Sequence, residues 1–338
     1  MSSELKDKLE NYLTKYFGNN TFITSMTPLS GGACQDNYLI DIKVNEKEEH
    51  KLVFRTDKGA SLLFSLDRVN EYKVADLAFR NGVKTPKTFF LEEDKSIIGS
   101  PFYFMERILG KATGRYVVKD PSLNKVRSQI TKEIAESLAK IHLITKDKIE
   151  DLELLKVLIQ FEDSVASSAV KSMREQVAVL IDPHPAMDLI LNWLEKNISQ
   201  TEKPVLVHGD FRTGNFMVNE SGLQGIVDWE FAHLGDPHED IAWLCMRDWR
   251  FGKLNKEAGG FATREEFYSE YEKFSNSTID VKKVLFWEVM GNLRWAVGSA
   301  GQAERHISGK DKGIELASIG RRTCEMEFEA MRLIENAR

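Results

Sequence analysis

The chain has 338 residues, 42% of them hydrophobic and 29% charged, with a formal net charge of −6. That length exceeds one average domain and suits two lobes around a cleft, and the composition is that of an ordinary globular protein. The negative balance gives no global attraction to nucleic acid or to an anionic membrane surface, so neither is expected as a partner. Cys34, Cys245 and Cys324 are odd in number and widely separated. They form neither a disulfide framework nor a metal knuckle, and a reducing cytoplasm suits them best. The opening MSSELKDKLE is charged rather than apolar, unlike a secretory leader. No apolar run approaches the roughly 18 residues of a membrane span.

In chain order, Ser2 or Ser3 can cap a first helix that places Leu5, Leu9, Leu13 and Tyr16 on one face, and Gly18 stops it. Strands follow. Phe22 and Ile23 begin one, Tyr38 to Val44 alternates, and Lys51 to Arg55 returns after a polar turn, which is an antiparallel meander. Gly31 and Gly32 lie between the first strands, where the backbone can bend sharply or approach a ligand. A helix is expected from Asp67 to Arg80, with Val69, Tyr72, Leu77 and Ala78 buried, ended by Asn81-Gly82. Short strands are expected at Thr88 to Leu91, Ser96 to Ile98 and Phe102 to Ile108.

Gly110 is the first boundary, and helical periodicity dominates beyond it. Helices are expected at Ser128 to Leu143, over most of Leu154 to Val179, and at Ala186 to Ile198. They resume at Asp240 to Arg247, Thr263 to Phe274, Val281 to Arg305 and Lys312 to Asn336.

Inside this helical half sits VLVHGDFRTGNFMVNESGLQGIVDWE, Val205 to Glu230. Two apolar runs, Val205 to Val207 and Leu223 to Val227, are expected to form a hairpin-like unit delivering Asp210, Asn215 and Asp228 to one end. Phosphoryl transfer needs a positioned nucleophile, Mg²⁺ on the phosphates and neutralisation of developing charge. Mg²⁺ prefers hard oxygen ligands, which Asp228 and Asn215 offer. Asp210 can accept a hydrogen bond from a substrate hydroxyl, and its Asp-x4-Asn spacing to Asn215 matches a kinase catalytic loop. Taken singly, the same residues serve as turn formers and caps. His208 reads as a buried histidine that orients the loop.

The segments HGDFRTGN (His208 to Asn215), IVDWE (Ile226 to Glu230) and GDPHEDIAWL (Gly235 to Leu244) resemble the aminoglycoside phosphotransferase and choline kinase-like family. LSGGACQDNY, LVFR, FYFMERILG and Trp249 to Gly252 are most similar to the kinase domains associated with acyl-CoA dehydrogenases. The resemblance implies an α+β, protein-kinase-like, two-lobed fold. Residues 1–109 would form a small antiparallel β-rich nucleotide-binding lobe, and 110–338 a large helical catalytic and substrate lobe. It further implies ATP and Mg²⁺ as cofactors and a small-molecule hydroxyl as acceptor. Asp210 would be the catalytic base, with Asn215 and Asp228 as metal ligands. Gly31 and Gly32 would cover the ATP phosphates, and Glu71 would pair with Arg55, which stands where a kinase usually has lysine. Met105 to Ile108, including Glu106, would form the hinge facing adenine. A G-x-G-x-x-G loop is absent.

Arg247, Trp249 and Arg250 can bind an anionic acceptor, or can simply end a helix. This cluster and the subgroup resemblance point to a hydroxy acid or hydroxyacyl compound as acceptor. Arg294 and Trp295 are a similar, weaker case. Asp236 and Asp240 read as helix caps, and the resemblance implies that they also brace the catalytic loop. His233 and His238 do not share a helix face, which argues against a transition-metal site. A nucleotide-binding protein without transferase activity, and a metal-dependent hydrolase using His208, Asp210, Asp228 and His233, are the alternatives.

Overall fold

A computed structural model describes residues 3–29, 35–45, 47–57, 65–310 and 313–337. Gly31, Gly32 and Cys34 lie outside the described residues.

The chain opens with helix α1 (Ser3–Phe17) and an antiparallel meander of strands β1 (Thr21–Pro28), β2 (Gln35–Val44) and β3 (Glu48–Asp57). Helix α2 (Arg68–Arg80) follows, then strands β4 (Thr88–Glu92) and β5 (Phe102–Glu106). The sheet order is β1-β2-β3-β5-β4, so β3 is central and is buried continuously from Leu52 to Thr56. Alternation along β3 sends Leu52 and Phe54 to one face. There they join Leu9, Tyr12 and Leu13 of α1, Ile40 and Ile42 of β2, and Phe102 and Phe104 of β5. Each such side chain contributes roughly 1.5–3 kcal/mol by leaving water. Arg55 points to the opposite face, which α2 covers.

Three expectations change here. Tyr16 is half exposed although it lies on the α1 stripe. The buried side of α2 is Arg68, Glu71, Val74, Ala75, Leu77 and Ala78, with Val69 and Tyr72 only half-buried. Periodicity of apolar residues missed this face because two of its members are charged and paired. Ser96 to Ile98 is a turn rather than a strand, since the Asp94 carboxylate accepts from the Ser96 N–H and hydroxyl.

The next stretch is helical: α3 (Gly114–Lys119), α4 (Arg127–His142), α5 (Leu152–Leu158), α6 (Val165–Ala178) and α7 (Pro185–Lys196). Leu154 to Val179 is mostly helical, as expected, in two helices separated where Ile159 forms a β-bridge to Leu234 and Ser164 caps α6. Strand β6 (Val205–Val207) then leads into a hairpin of β7 (Phe216–Asn219) and β8 (Gly222–Ile226), followed by β9 (His233–Gly235). The pairing differs from expectation. β6 pairs with β9, while β8 pairs with β7, so the two apolar runs belong to different ribbons. The six residues between β6 and Gly214 form a separate loop.

Helices α8 (Pro237–Cys245), α9 (Arg264–Ser275), α10 (Val281–Ile307), α11 (Ile314–Gly320) and α12 (Arg322–Asn336) complete the chain. The single helix expected after Lys312 is two, divided at Arg321. Two compact units result: Met1–Lys111 with Phe216–Ala232, and Ala112–Asn215 with His233–Arg338. The first is β-rich and antiparallel and the second is mainly helical, an α+β architecture. Among the described residues no helix is long and apolar enough to cross a membrane.

Candidate active site

In the β-rich unit a buried charge network surrounds Arg55, which is 5% exposed. Arg55 Nη2 lies 2.8 Å from Glu71 Oε1 and donates to Asp228 Oδ1 at 3.2 Å. Glu71, 1% exposed, also pairs with Arg68 Nη1, and Arg68 Nη2 donates to Asp57 Oδ1 at 2.8 Å. Burial alone would lower the Arg55 pKa, but the charges of Glu71, Tyr103 and Asp228 outweigh it and hold the guanidinium firmly protonated.

The hairpin carries Asp228 into this network. Ile226 N donates to Lys84 O at 2.8 Å, Thr85 Oγ1 donates to Ile226 O at 2.8 Å, and Trp229 Nε1 donates to Thr85 Oγ1 at 3.1 Å. A Cβ at Gly225 would come within 2.8 Å of Ile108 Cδ1, so glycine lets the hairpin seat against that segment. Asp228 has φ 74°, a left-handed conformation that Asp tolerates better than most residues. Of the expected hinge, Glu106 is exposed and pairs in register with Leu52, and Ile108 is half-buried.

In the helical unit, β6 is fully buried and its Leu206 N donates to Ile144 O at 2.7 Å. The loop after it is pinned from below by Asp240 of α8, whose carboxylate accepts from His208 N at 2.7 Å and Gly209 N at 2.9 Å. His142 Nε2 lies 3.2 Å from Asp240 Oδ2. Burial would raise the Asp240 pKa, but the hydrogen bond and charge of His142, with the charge and N–H of His208, hold it below the ordinary carboxylate value. His208 is fully buried and its Nδ1 accepts from Asp210 N at 3.3 Å. Phe211 and Thr213 anchor the loop inward, Thr213 through a 2.7 Å hydrogen bond to Gly259 O.

Asp210 and Asn215 are brought together. Asn215 Nδ2 donates to Asp210 Oδ2 at 2.7 Å and to Asp210 O at 2.9 Å. With its nitrogen so used, Asn215 keeps its amide oxygen, a hard donor of the kind that Mg²⁺ accepts.

Two partners of Asp210 escaped the sequence reading. Arg212 Nε donates to both carboxylate oxygens, at 2.9 and 3.1 Å, and Trp243 Nε1 donates to Oδ1 at 2.8 Å. Trp243 follows Asp240 by three positions on α8, so both share one helix face. That spacing was the available signal.

Of the expected acceptor residues, Trp249 is close to this group, with the Arg212 guanidinium 4.6 Å over its ring. Arg247 is half exposed, 3.6 Å from Glu329. Arg250 turns inward, donating to Cys245 O at 2.7 Å and Leu254 O at 3.3 Å. Asp236 caps α8 and bonds His238, His233 faces Glu239, Arg294 pairs with Glu239, and Trp295 donates to Asp248. Among the described residues no three His, Cys, Asp or Glu side chains gather as a metal cluster.

A profile of the phosphotransferase enzyme family matches residues 25–275. Acyl-CoA dehydrogenase family member 10 of Mus musculus is 29% identical over 251 residues, covering 71% of this chain but 22% of that relative's length. The 4-hydroxytryptamine kinase of Psilocybe cubensis is 21% identical, covering 93% of each chain. Among solved structures, a putative aminoglycoside phosphotransferase from Ralstonia eutropha superimposes with a TM-score of 0.76 at 22% identity, over 98% of both chains. The GDP complex of aminoglycoside 2'-phosphotransferase-IIIa does so with a TM-score of 0.60 at 15% identity, over 98% and 99%. These neighbours share the aminoglycoside phosphotransferase kinase-like fold. The chain belongs to the phosphotransferase enzyme family.

Proposed function

We propose that the protein is an ATP- and Mg²⁺-dependent kinase that transfers the γ-phosphoryl group to a hydroxyl of a small molecule. The observation that carries this is the Asp210 carboxylate held by the Asn215 amide nitrogen at 2.7 Å. That contact orients an acceptor for the hydroxyl and leaves the amide oxygen for Mg²⁺. Asp210 orients the hydroxyl toward the γ-phosphate and takes up its proton. Asn215 and Asp228 supply oxygens to Mg²⁺, which when bound neutralises charge on the phosphates. Arg55, fixed by Glu71, contacts phosphate, and Gly31 and Gly32 contribute backbone N–H groups to it. The backbone of Glu106 to Ile108 binds adenine. Arg247, Trp249 and Arg250 belong to the acceptor side.

A hydroxy acid or hydroxyacyl compound is the acceptor class this reading favours. Support comes from the Arg212 guanidinium over the Trp249 ring, from Arg247 lining one cavity with Trp249, and from the likeness to proteins named for acyl-CoA dehydrogenation. A reducing cytoplasm is the inferred compartment, and Cys245 and Cys324 are free thiols.

The test is ADP release in the presence of Mg-ATP and a panel of hydroxy acids, hydroxyacyl-CoA esters, amino alcohols and aminoglycosides. One class should stimulate release, and Asp210→Asn should lower kcat by about 10²–10⁴ with nucleotide affinity near wild type. Unchanged kcat in that variant removes Asp210 from the mechanism.

A further inference from the structure

Three N–H groups crowd the Asp210 carboxylate. Oδ1 accepts from Trp243 Nε1 at 2.8 Å, Oδ2 accepts from Asn215 Nδ2 at 2.7 Å, and the single Arg212 Nε–H is shared between Oδ1 at 2.9 Å and Oδ2 at 3.1 Å. A hydrogen shared in this way lies between the two oxygens and covers the lone pairs that converge there. A hydroxyl that Asp210 is to orient from that edge must displace Arg212.

The three donors are not equally movable. Trp243 is 7% exposed on α8, and Asn215 is 4% exposed with its amide also bound to Asp210 O. The Arg212 side chain is 26% exposed on a long stem, and it sits on a loop. Its guanidinium rests on the face of Trp249, a contact that tolerates sliding of the planar group. Gly214 leaves room for it, since a Cβ there would come within 2.3 Å of Arg212 Nη1. Trp249 in turn lines a cavity of about 850 Å³ with Phe251, Phe328 and two arginines that already have carboxylate partners in its wall, Arg247 with Glu329 and Arg322 with Asp248 and Glu325. The cavity is large enough for a small organic molecule.

We propose that Arg212 is a positioning residue that gates Asp210: it occupies the carboxylate when no acceptor is bound, and an anionic group on an acceptor seated in the Trp249 cavity draws it away, so that the hydroxyl takes its place. The gate rests on the reading of Asp210 as the group that orients the hydroxyl. Its physical basis is an exchange of anions. Withdrawing a guanidinium from a buried carboxylate with nothing to receive it is costly, and an acceptor carboxylate or phosphate restores a charge-assisted pair. A neutral or cationic acceptor offers no such return, so the gate selects for anionic hydroxyl compounds by coupling their binding to release of the base.

Hydrolysis of ATP without acceptor reads the gate directly. Water's oxygen bonds to the γ-phosphorus as the bond from that phosphorus to the ADP oxygen breaks, and the water proton leaves through Asp210 to solvent. The full chain with Mg-ATP is compared as wild type, Arg212→Met, Arg212→Lys, Asp210→Asn and the Arg212→Met/Asp210→Asn double variant. Arg212→Met should hydrolyse ATP about tenfold faster than wild type, because water now reaches the carboxylate. Arg212→Lys, a point charge that does not span both oxygens, should fall between them. The double variant should return to the rate of Asp210→Asn alone. In the acceptor panel wild type should prefer anionic hydroxyl compounds over amino alcohols, and Arg212→Met should shrink that preference about tenfold. A merely structural arginine would lower the rate on removal, not raise it. If Arg212→Met is no faster than wild type while Asp210→Asn slows hydrolysis, the gate is overturned and the Asp210 reading stands. If Asp210→Asn changes nothing in either background, that reading fails and takes the gate with it. A wild-type preference for cationic acceptors also overturns the gate.

Discussion

Arg55 and Arg212 are both arginines set on carboxylates, one in each compact unit, and they differ in how they are held. Arg55 lies on the central strand of its sheet, 5% exposed, between Glu71 and Asp228. Arg212 lies on a loop, 26% exposed at its side chain, on the single carboxylate of Asp210 and the face of Trp249. The difference is one of over-determination. A guanidinium on a buried strand with two carboxylates keeps its place whatever binds, which suits a fixed phosphate contact. A guanidinium on a loop with one carboxylate can exchange that partner for another.

Breaking the fixed arrangement should be the more expensive. Glu71→Ala removes a 1% exposed carboxylate that the buried Arg55 and Arg68 share. Leaving buried charges so poorly compensated costs about 3–5 kcal/mol. Urea denaturation should show a lower midpoint with an unchanged slope. A loss under about 1 kcal/mol would mean that Arg55 relaxes toward solvent and is not rigid after all.

This network also shows what a sequence conveys. Strand β3 and helix α2 were legible from alternation and from Asn81-Gly82, and the Arg55–Glu71 pair was suggested by family resemblance. Arg68 was not, because a charged residue on a buried helix face contradicts the apolar period by which that face is found. The same holds at the loop. Asp210, Asn215 and Asp228 stand out as polar residues beside apolar strands. Which strands pair was misjudged, since runs as short as Val205 to Val207 and Leu223 to Val227 carry no register information beyond their hydrophobicity. Arg212 and Trp243 are hidden for another reason: their role is a distance to one carboxylate, to which only the three-residue spacing of Trp243 from Asp240 points.

The loop's backbone, unlike Arg212, is firmly anchored, and Asp240→Asn tests that anchor. Asp240 accepts from the N–H groups of His208 and Gly209, and losing its charge should cost about 1.5–3 kcal/mol. The pH dependence follows from the depressed folded pKa. The stabilisation from this carboxylate is fully present above its unfolded value of about 4 and is lost as pH falls through the lower folded value. The difference in midpoint between wild type and Asp240→Asn should therefore be constant near neutrality and shrink in acid. A difference that grows in acid would mean that the carboxyl is not held low.

The last effect is the most discriminating, because it sets two of the three donors of Asp210 against each other. Trp243→Phe keeps an aromatic ring on α8 but removes the N–H that reaches Asp210 Oδ1 at 2.8 Å. A hydrogen bond to a carboxylate contributes about 1.5–3 kcal/mol, so stability should fall by that amount. If Trp243 is a fixed donor that aims the carboxylate, acceptor-dependent kcat should fall by about ten- to hundredfold, the same free energy expressed as a rate. Removing Arg212 is expected to raise hydrolysis, and removing the Trp243 donor to lower transfer. Opposite signs from two donors on one carboxylate separate an aiming contact from an occluding one. Equal losses from both would make the two donors interchangeable supports, and the contrast between a held and a movable arginine would then lie only in their exposure.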